Sequence, residues 1–460
     1  MKRLLLFAMV ALMAGSWGST ARGGSTPANT INELIAAAQP GDTITVPAGL
    51  YKEHLVIDKA ITLEGAGWPV IDAGGVGDVI RVNAADVTIR GFVIQGSSID
   101  VSDEPAGIRV AANNSRIEGN RIQNVLYGIE LQDSGGHIVR NNSISSIVRF
   151  GAERRGHGIY LWHTNDNVVA DNTIENVKDG FFVGFSTRNA IENNHVTKSR
   201  YGIHYMYSND NEFHNNVFRD NIAGGVLMYS TDITFTGNEF AYNKSAASGY
   251  GLLFKDMDNV LMSGNYIHHN RLGITMEGAP SSPAAFVTLK GNLIAFNQAG
   301  LELTTTTAAT FTENTFTGNL EQVISRGGSQ QQRNAWSLNG RGNYWDDYQG
   351  YDANGDGVGD IKFSYDGSYD ALVQENQALK AFAFTPARSA LDLAGGWFPA
   401  FKPATRLIDD HPLMSPSITL SAEASRDARL SAAVAALLLV VVPLVAMRGT
   451  AMRFGKWSKC

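Results

Sequence analysis

The chain has 460 residues, a formal net charge of −7 and 18% charged residues, a balance that offers no electrostatic basis for gripping nucleic-acid phosphates. Its one cysteine is Cys460, the last residue, so an intramolecular disulfide is excluded. This length would fill two or three ordinary domains unless the chain is a repeat array, which grows by stacking.

Residues 1–21 read as a secretory signal. Lys2 and Arg3 precede an apolar run of about eleven residues, too short to span a bilayer, and Ser19-Thr20-Ala21 offers small residues for cleavage. Residues 30–42 predict a short capping helix and turn: Thr30 stands three residues before Glu33, a capping box, and Pro40-Gly41-Asp42 ends it. Residues 43–325 predict a parallel β-helix. Its first coils are irregular, and 87–94 is the first good match to the repeat, with Gly91 in the place later held by asparagine.

The repeat is carried by Asn120, Asn142, Asn172, Asn194, Asn216, Asn238, Asn265, Asn292 and Asn314. Five of the intervals are 22 residues; the others, of 30, 27 and 27, are one period plus an inserted loop. Apolar residues stand three before and two after each Asn, from Ile117 and Ile122 to Phe311 and Phe316, and a Gly such as Gly180 or Gly202 follows eight residues on in most repeats. Short alternating runs then predict strands. A 22-residue unit of short strands, without a leucine-rich consensus, fits one turn of a β-helix. Coils stacked about 4.8 Å apart align equivalent side chains, so the asparagines are expected to form an amide ladder rather than an active site. Eleven to twelve coils are counted. The insertions form loops: 149–157 is basic (Arg149, Arg154, Arg155), 244–248 is small and polar, and 277–284 carries two prolines.

Residues 326–414 predict an irregular C-terminal cap. Within it Asp352, Asn354, Asp356 and Asp360 have the oxygen spacing of a calcium loop, although the twelfth position is Phe363 instead of Glu. The same residues suit a glycine-rich run of Asx turns. A linker (415–429) then leads to 430–447, eighteen residues without a charge, long enough for a transmembrane helix. Arg448, Arg453, Lys456 and Lys459 follow it, which places the tail, 448–460, in the cytoplasm and the repeats outside the inner membrane.

The export signal, the Asn/Gly coils, Gly342-Asn343-Tyr344-Trp345-Asp346-Asp347-Tyr348, the run from Asp352 to Asp360 and His411-Pro412-Leu413 together resemble the NosD family, periplasmic accessory proteins of nitrous oxide reductase maturation. The resemblance covers nearly the whole chain. It implies a right-handed, single-stranded parallel β-helix, all-β in class. It also implies partners: an ABC-type ATPase and permease, a copper chaperone, and nitrous oxide reductase, whose copper–sulfur centre they build.

Copper handling calls for soft ligands. By alternation, Trp162, Gly184, Met206 and Met228 form one outward column, with His204 two residues from Met206 on the same face; His204, Met206 and Met228 are the candidate copper ligands. Met257 and Met276 are expected in the core. His268 and His269, as neighbours on a strand, are expected to face opposite ways and not to share an ion. The alternative is a carbohydrate-active enzyme, a polysaccharide lyase or hydrolase. It needs paired carboxylates, and no tight acidic cluster across adjacent coils is expected in the central wall: Glu130 and Glu277 point outward and Glu302 is isolated. A purely docking scaffold differs from the copper reading only in whether metal binds.

Overall fold

A computed structural model describes residues 30–326, 333–365 and 407–420. The expected signal peptide, transmembrane helix and tail lie outside these residues. Among the described residues no helix is long and apolar enough to cross a membrane.

The repeats wind into three parallel sheets of 12, 13 and 12 strands. Each full coil contributes one strand to each sheet, so sheet neighbours are three strands apart in the chain until the last strand of the 13-stranded sheet, which has no counterpart in the other two. The pairing keeps equivalent residues level: Val169 pairs with Ile191, Ile191 with Phe213 and Phe213 with Phe235. Their side chains point inward and are fully buried. The core is therefore a set of parallel columns. Phe213 stacks on Phe235 at 4.7 Å and Phe218 on Phe240 at 5.0 Å between ring centroids, within the range where ring pairs attract beyond their buried area.

The recurring glycine has a steric cause. A Cβ on Gly202 would lie 2.3 Å from the carbonyl oxygen of Gly224, too close for any side chain at the 4.8 Å spacing of coils.

The asparagines form a continuous ladder. In each rung the backbone N–H and the side-chain Nδ2 donate to Oδ1 of the Asn one coil later; between Asn194 and Asn216 these distances are 2.9 and 3.0 Å. Nδ2 also donates to a backbone carbonyl one coil earlier, as from Asn216 to Ile191 at 2.7 Å. Every polar atom of the buried amide is thus engaged. The ladder runs past residue 325: Asn314 donates to Asn343, and Tyr344–Trp345 is the last strand of the second sheet. It ends on Asp409, whose Oδ2 accepts from the Asn343 backbone N–H at 2.7 Å and from Trp345 Nε1 at 3.0 Å. At the other end it is Phe92, not Gly91, that holds the asparagine place: Ile89 pairs with Ile117, and the Phe92 N–H donates to Asn120 Oδ1 at 3.2 Å.

The open first coil is covered by helix α1, Ile31–Ala37, with the Thr30/Glu33 capping box in place. Both helix ends are tied to the first coil. Glu53 accepts from the N–H groups of Ile31 and Asn32, and Lys59 Nζ donates to the carbonyls of Ile35, Ala36 and Ala38, each charge on the end of the helix that favours it.

Candidate functional site

The third sheet presents two outward columns. Arg109, Glu130, Tyr160, Phe182, His204 and Val226 are level on successive coils. Beside them run Gln132, Trp162, Gly184, Met206, Met228 and Lys255. Gly184 leaves room for an indole, since a Cβ there would meet Trp162 ring atoms at 2.7 Å.

Met206 and Met228 are therefore direct neighbours across one coil step, the register expected of one outward column, and both are half-buried. His204 is on the same face, but its imidazole is held by a group that sequence reasoning missed. Asp179, at the start of strand Asp179–Gly184, is fully buried. Its Oδ2 lies 3.1 Å from His204 Nδ1, and Arg200 grips both oxygens at 2.8 and 2.6 Å. His157 Nδ1 lies 3.3 Å from the same carboxylate, off the line of a hydrogen bond. Burial pushes the Asp179 carboxyl up, but His157, His204 and Arg200 together outweigh it and hold it well below the usual carboxylate range. With Nδ1 tied to a carboxylate, His204 is left with Nε2 as the nitrogen for a metal, the arrangement by which carboxylates orient ligand histidines.

Around this node lies an aromatic wall. His157 stacks on Tyr160 at 5.5 Å, Phe182 meets His204 at 4.8 Å and Tyr160 lies parallel to Trp162 at 6.0 Å. The basic loop closes over one side, with Glu153 at 3.4 Å from Arg200 and Arg155 donating to the Phe150 carbonyl. At the adjoining corner His163, Phe185, Tyr207 and Tyr229 all take left-handed backbone angles and stack 4.9 to 5.3 Å apart. Phe185, Tyr207 and Tyr229 are 40 to 49% exposed, a strip of ring edges flanking the methionines.

In the early coils, away from the central wall, two carboxylates stand two coils apart with an arginine between them. Arg109 bridges Asp78 at 3.0 Å and Glu130 at 2.6 Å. Glu130 is 1% exposed and its Oε2 has no partner. Burial raises its carboxyl to about 7, with Arg109 opposing but not cancelling the shift. A carboxyl whose folded pKa is raised binds more protons folded than unfolded, so its stabilising contribution is complete below about pH 4.5 and is lost as pH rises to about 7. Glu130→Gln is expected to flatten that slope, gaining about 3 kcal/mol on wild type above pH 7 at 1.36 kcal/mol per unit; urea unfolding at pH 5 and 8 measures it.

Met257 and Met276 are in the core, as expected. Glu302 is buried too, with the Thr275 hydroxyl 3.3 Å from its Oε2. The calcium-like loop forms Asx turns: Asp352 accepts from the N–H groups of Gly355 and Gly357, Asn354 from Asp356, Asp356 from Val358, and Asp360 from Ala353. Each of these oxygens accepts from a backbone amide, and among the described residues no group of three or more His, Cys, Asp or Glu is placed to hold a metal ion. His268 and His269 do not face opposite ways. His269 has φ 56°, which ends the strand Tyr266–His268 and turns its ring so that the two Nδ1 atoms lie 2.9 Å apart.

These features make the chain a parallel β-helix repeat protein with a histidine, methionine and aromatic strip on the outer face of one sheet. Residues 143–350 match the family described as "Periplasmic copper-binding protein (NosD)", and residues 15–222 match one described as a protein of unknown function, DUF1565. A "Probable ABC transporter binding protein NosD" of Stutzerimonas stutzeri is 33% identical over 382 residues, covering 80% of this chain and 86% of that protein. Its namesake from Pseudomonas aeruginosa is 33% identical over 400 residues, covering 84% and 91%. The chain belongs to the NosD family. Among solved structures, the A-module of the mannuronan C-5 epimerase AlgE6 of Azotobacter vinelandii superposes with a TM-score of 0.54 at 15% identity, covering 67% of this chain and 92% of that one. That likeness is one of fold.

Proposed function

We propose that this chain is a non-catalytic periplasmic accessory protein that docks on an ABC transporter and handles copper, or the client enzyme, during assembly of the copper–sulfur centre of nitrous oxide reductase. The observation that carries the reading is the outer strip of the third sheet, where a carboxylate-anchored His204 stands beside paired Met206 and Met228. Sulfur and imidazole suit Cu(I), which would pass through as cargo. The exposed corner of Phe185, Tyr207 and Tyr229 gives the same face an aromatic docking edge. The names of the two bacterial relatives support a transporter partner. A copper chaperone delivering to this strip, and a 430–447 helix tethering the rod to the inner membrane, complete the proposal.

Glu130 is the carboxyl best suited to acid catalysis, and its burial argues against the lyase or hydrolase alternative, because a substrate cannot reach it. In anaerobic Cu(I) titration against a chromophoric competitor, Met206→Ala/Met228→Ala is expected to lose one binding equivalent or to bind it at least about tenfold more weakly, the loss of soft donors. Unchanged affinity and stoichiometry would remove these residues from the proposal.

A further inference from the structure

A second pair of soft-metal donors lies on a different face of the rod. On the second sheet, the left-handed turn at His269 cancels the alternation of the strand, so the rings of His268 and His269 meet with Nδ1 atoms 2.9 Å apart. Two neutral ring nitrogens at that distance share one proton. The other nitrogen of His268 settles which ring supplies it: Nε2 lies 3.4 Å from Glu239 Oε1. The carboxylate favours a proton on His268 Nε2, leaving His268 Nδ1 as a lone pair and His269 Nδ1–H as the donor.

The surroundings fix both rings. His268 is 2% exposed. His269 lies between Tyr242, stacked at 4.8 Å, and Phe296, at 5.1 Å, and all three take left-handed angles at the same corner of successive coils. Arg219 and Lys244 each stand 5.1 Å from the centre of the Tyr242 ring, and this positive charge disfavours a divalent ion more than a monovalent one.

We infer that His268 and His269 form a two-coordinate Cu(I) site, the metal taking the place of the proton between the two Nδ1 atoms. The ion is the cargo of the preceding proposal, on which this inference rests for the choice of metal. Both rings bind as neutral ligands: His269 moves its proton from Nδ1 to Nε2, and none is released. A linear N–Cu–N unit needs the nitrogens roughly 4 Å apart, twice a metal–imidazole bond of about 2 Å. The rings must therefore part by about 1 Å, within reach of the broad terminal torsion of histidine. Zinc and calcium require four or more ligands, which this pair does not supply, whereas Cu(I) accepts two. Glu239 supplies the carboxylate behind the ligand histidine.

The test is Cu(I) titration of the full chain against the same competitor, with copper K-edge absorption to identify the donor atoms. Wild type is expected to show a two-coordinate, nitrogen-only component. It should disappear in His268→Ala and in His269→Asn, the latter chosen because Asn tolerates the left-handed corner, with circular dichroism verifying the fold of each variant. Glu239→Gln should keep the stoichiometry and weaken this equivalent by about 10- to 100-fold. Met206→Ala/Met228→Ala should leave the nitrogen-only component intact. If that component persists in both folded histidine variants, or vanishes only in the methionine variant, the inference is overturned while copper handling at the third sheet stands. No Cu(I) uptake by wild type overturns both, and loss confined to the histidine variants supports this site alone.

Discussion

Asp179→Ala is expected to destabilise the protein by about 3–5 kcal/mol, the usual cost of removing one partner from a buried ion pair. The carboxylate is fully buried, and the Arg200 side chain it holds is only 17% exposed. Its loss leaves a guanidinium with Glu153 as its remaining acidic neighbour and frees His204 to rotate. Asp179→Asn should cost nearly as much, because an amide keeps one acceptor but turns N–H groups towards Arg200. The pH dependence has a definite sign. A carboxyl held below its unfolded value contributes stability above the ordinary carboxylate range, lost as pH falls through the folded value; wild type and Asp179→Ala should therefore converge in acid. Urea unfolding at pH 7 measures the loss; at pH 3, just under the ordinary carboxylate value and still above the folded one, the gap should have begun to narrow without closing. A neutral-pH loss below about 1 kcal/mol, the size of an exposed pair, would mean that this node does not organise the wall.

The second large effect is expected at the end of the ladder. Asp409 accepts from the backbone N–H groups of Asn343 and His411 and from Trp345 Nε1, at 2.7, 3.1 and 3.0 Å. Asp409→Ala orphans these donors, at about 1–3 kcal/mol for each buried one, so a loss of roughly 3–5 kcal/mol is expected. Asp409→Asn keeps one acceptor and should lose less than half of that. The neighbouring Asp410, paired with Lys362 at the surface, is the control: Asp410→Ala should change stability by no more than about 1 kcal/mol. Thermal melts of the three variants rank them, and equal melting points for the two alanine variants would refute the ladder's dependence on its terminal acid.

The spine of the fold was legible because a side chain that must stack on its own copy has to recur at one interval. Two shorter ladders were written in the same code and overlooked. Asn221, Asn243, Asn270 and Asn297 lie five residues after members of the first ladder, and Asn167, Asn189 and Asn211 five before; both sets bond from coil to coil. The node on the third sheet was hidden by distance in sequence. Asp179 and Arg200 are 21 residues apart, which in a stack of 22-residue turns means adjacent, and a search for opposite charges at that offset would have found them. The same search would have found Arg109 and Glu130, also 21 residues apart, whereas Asp78 escaped because an insertion stretches its interval to Arg109 to 31. The His268–His269 pair escaped because one left-handed residue overrides alternation, and backbone handedness at a histidine leaves no mark in composition. The loop from Asp352 to Asp360 shows the converse: its spacing serves an ion and a set of turns equally well, and the turns are formed.

The ladder also has a direction. Each asparagine offers an acceptor to the storey before it and two donors to the storey after, so all its amide dipoles add and the donor end meets a carboxylate, much as an anion sits on the first turn of a helix. Because every storey hands on what it received, a whole unit can be copied or deleted in the middle without changing what either end must satisfy. The rod can thus lengthen in steps of about 4.8 Å while the Asp179 node, which draws only on adjacent storeys, is carried along intact. Evolution is free to adjust how far the face stands from its partners without redesigning it.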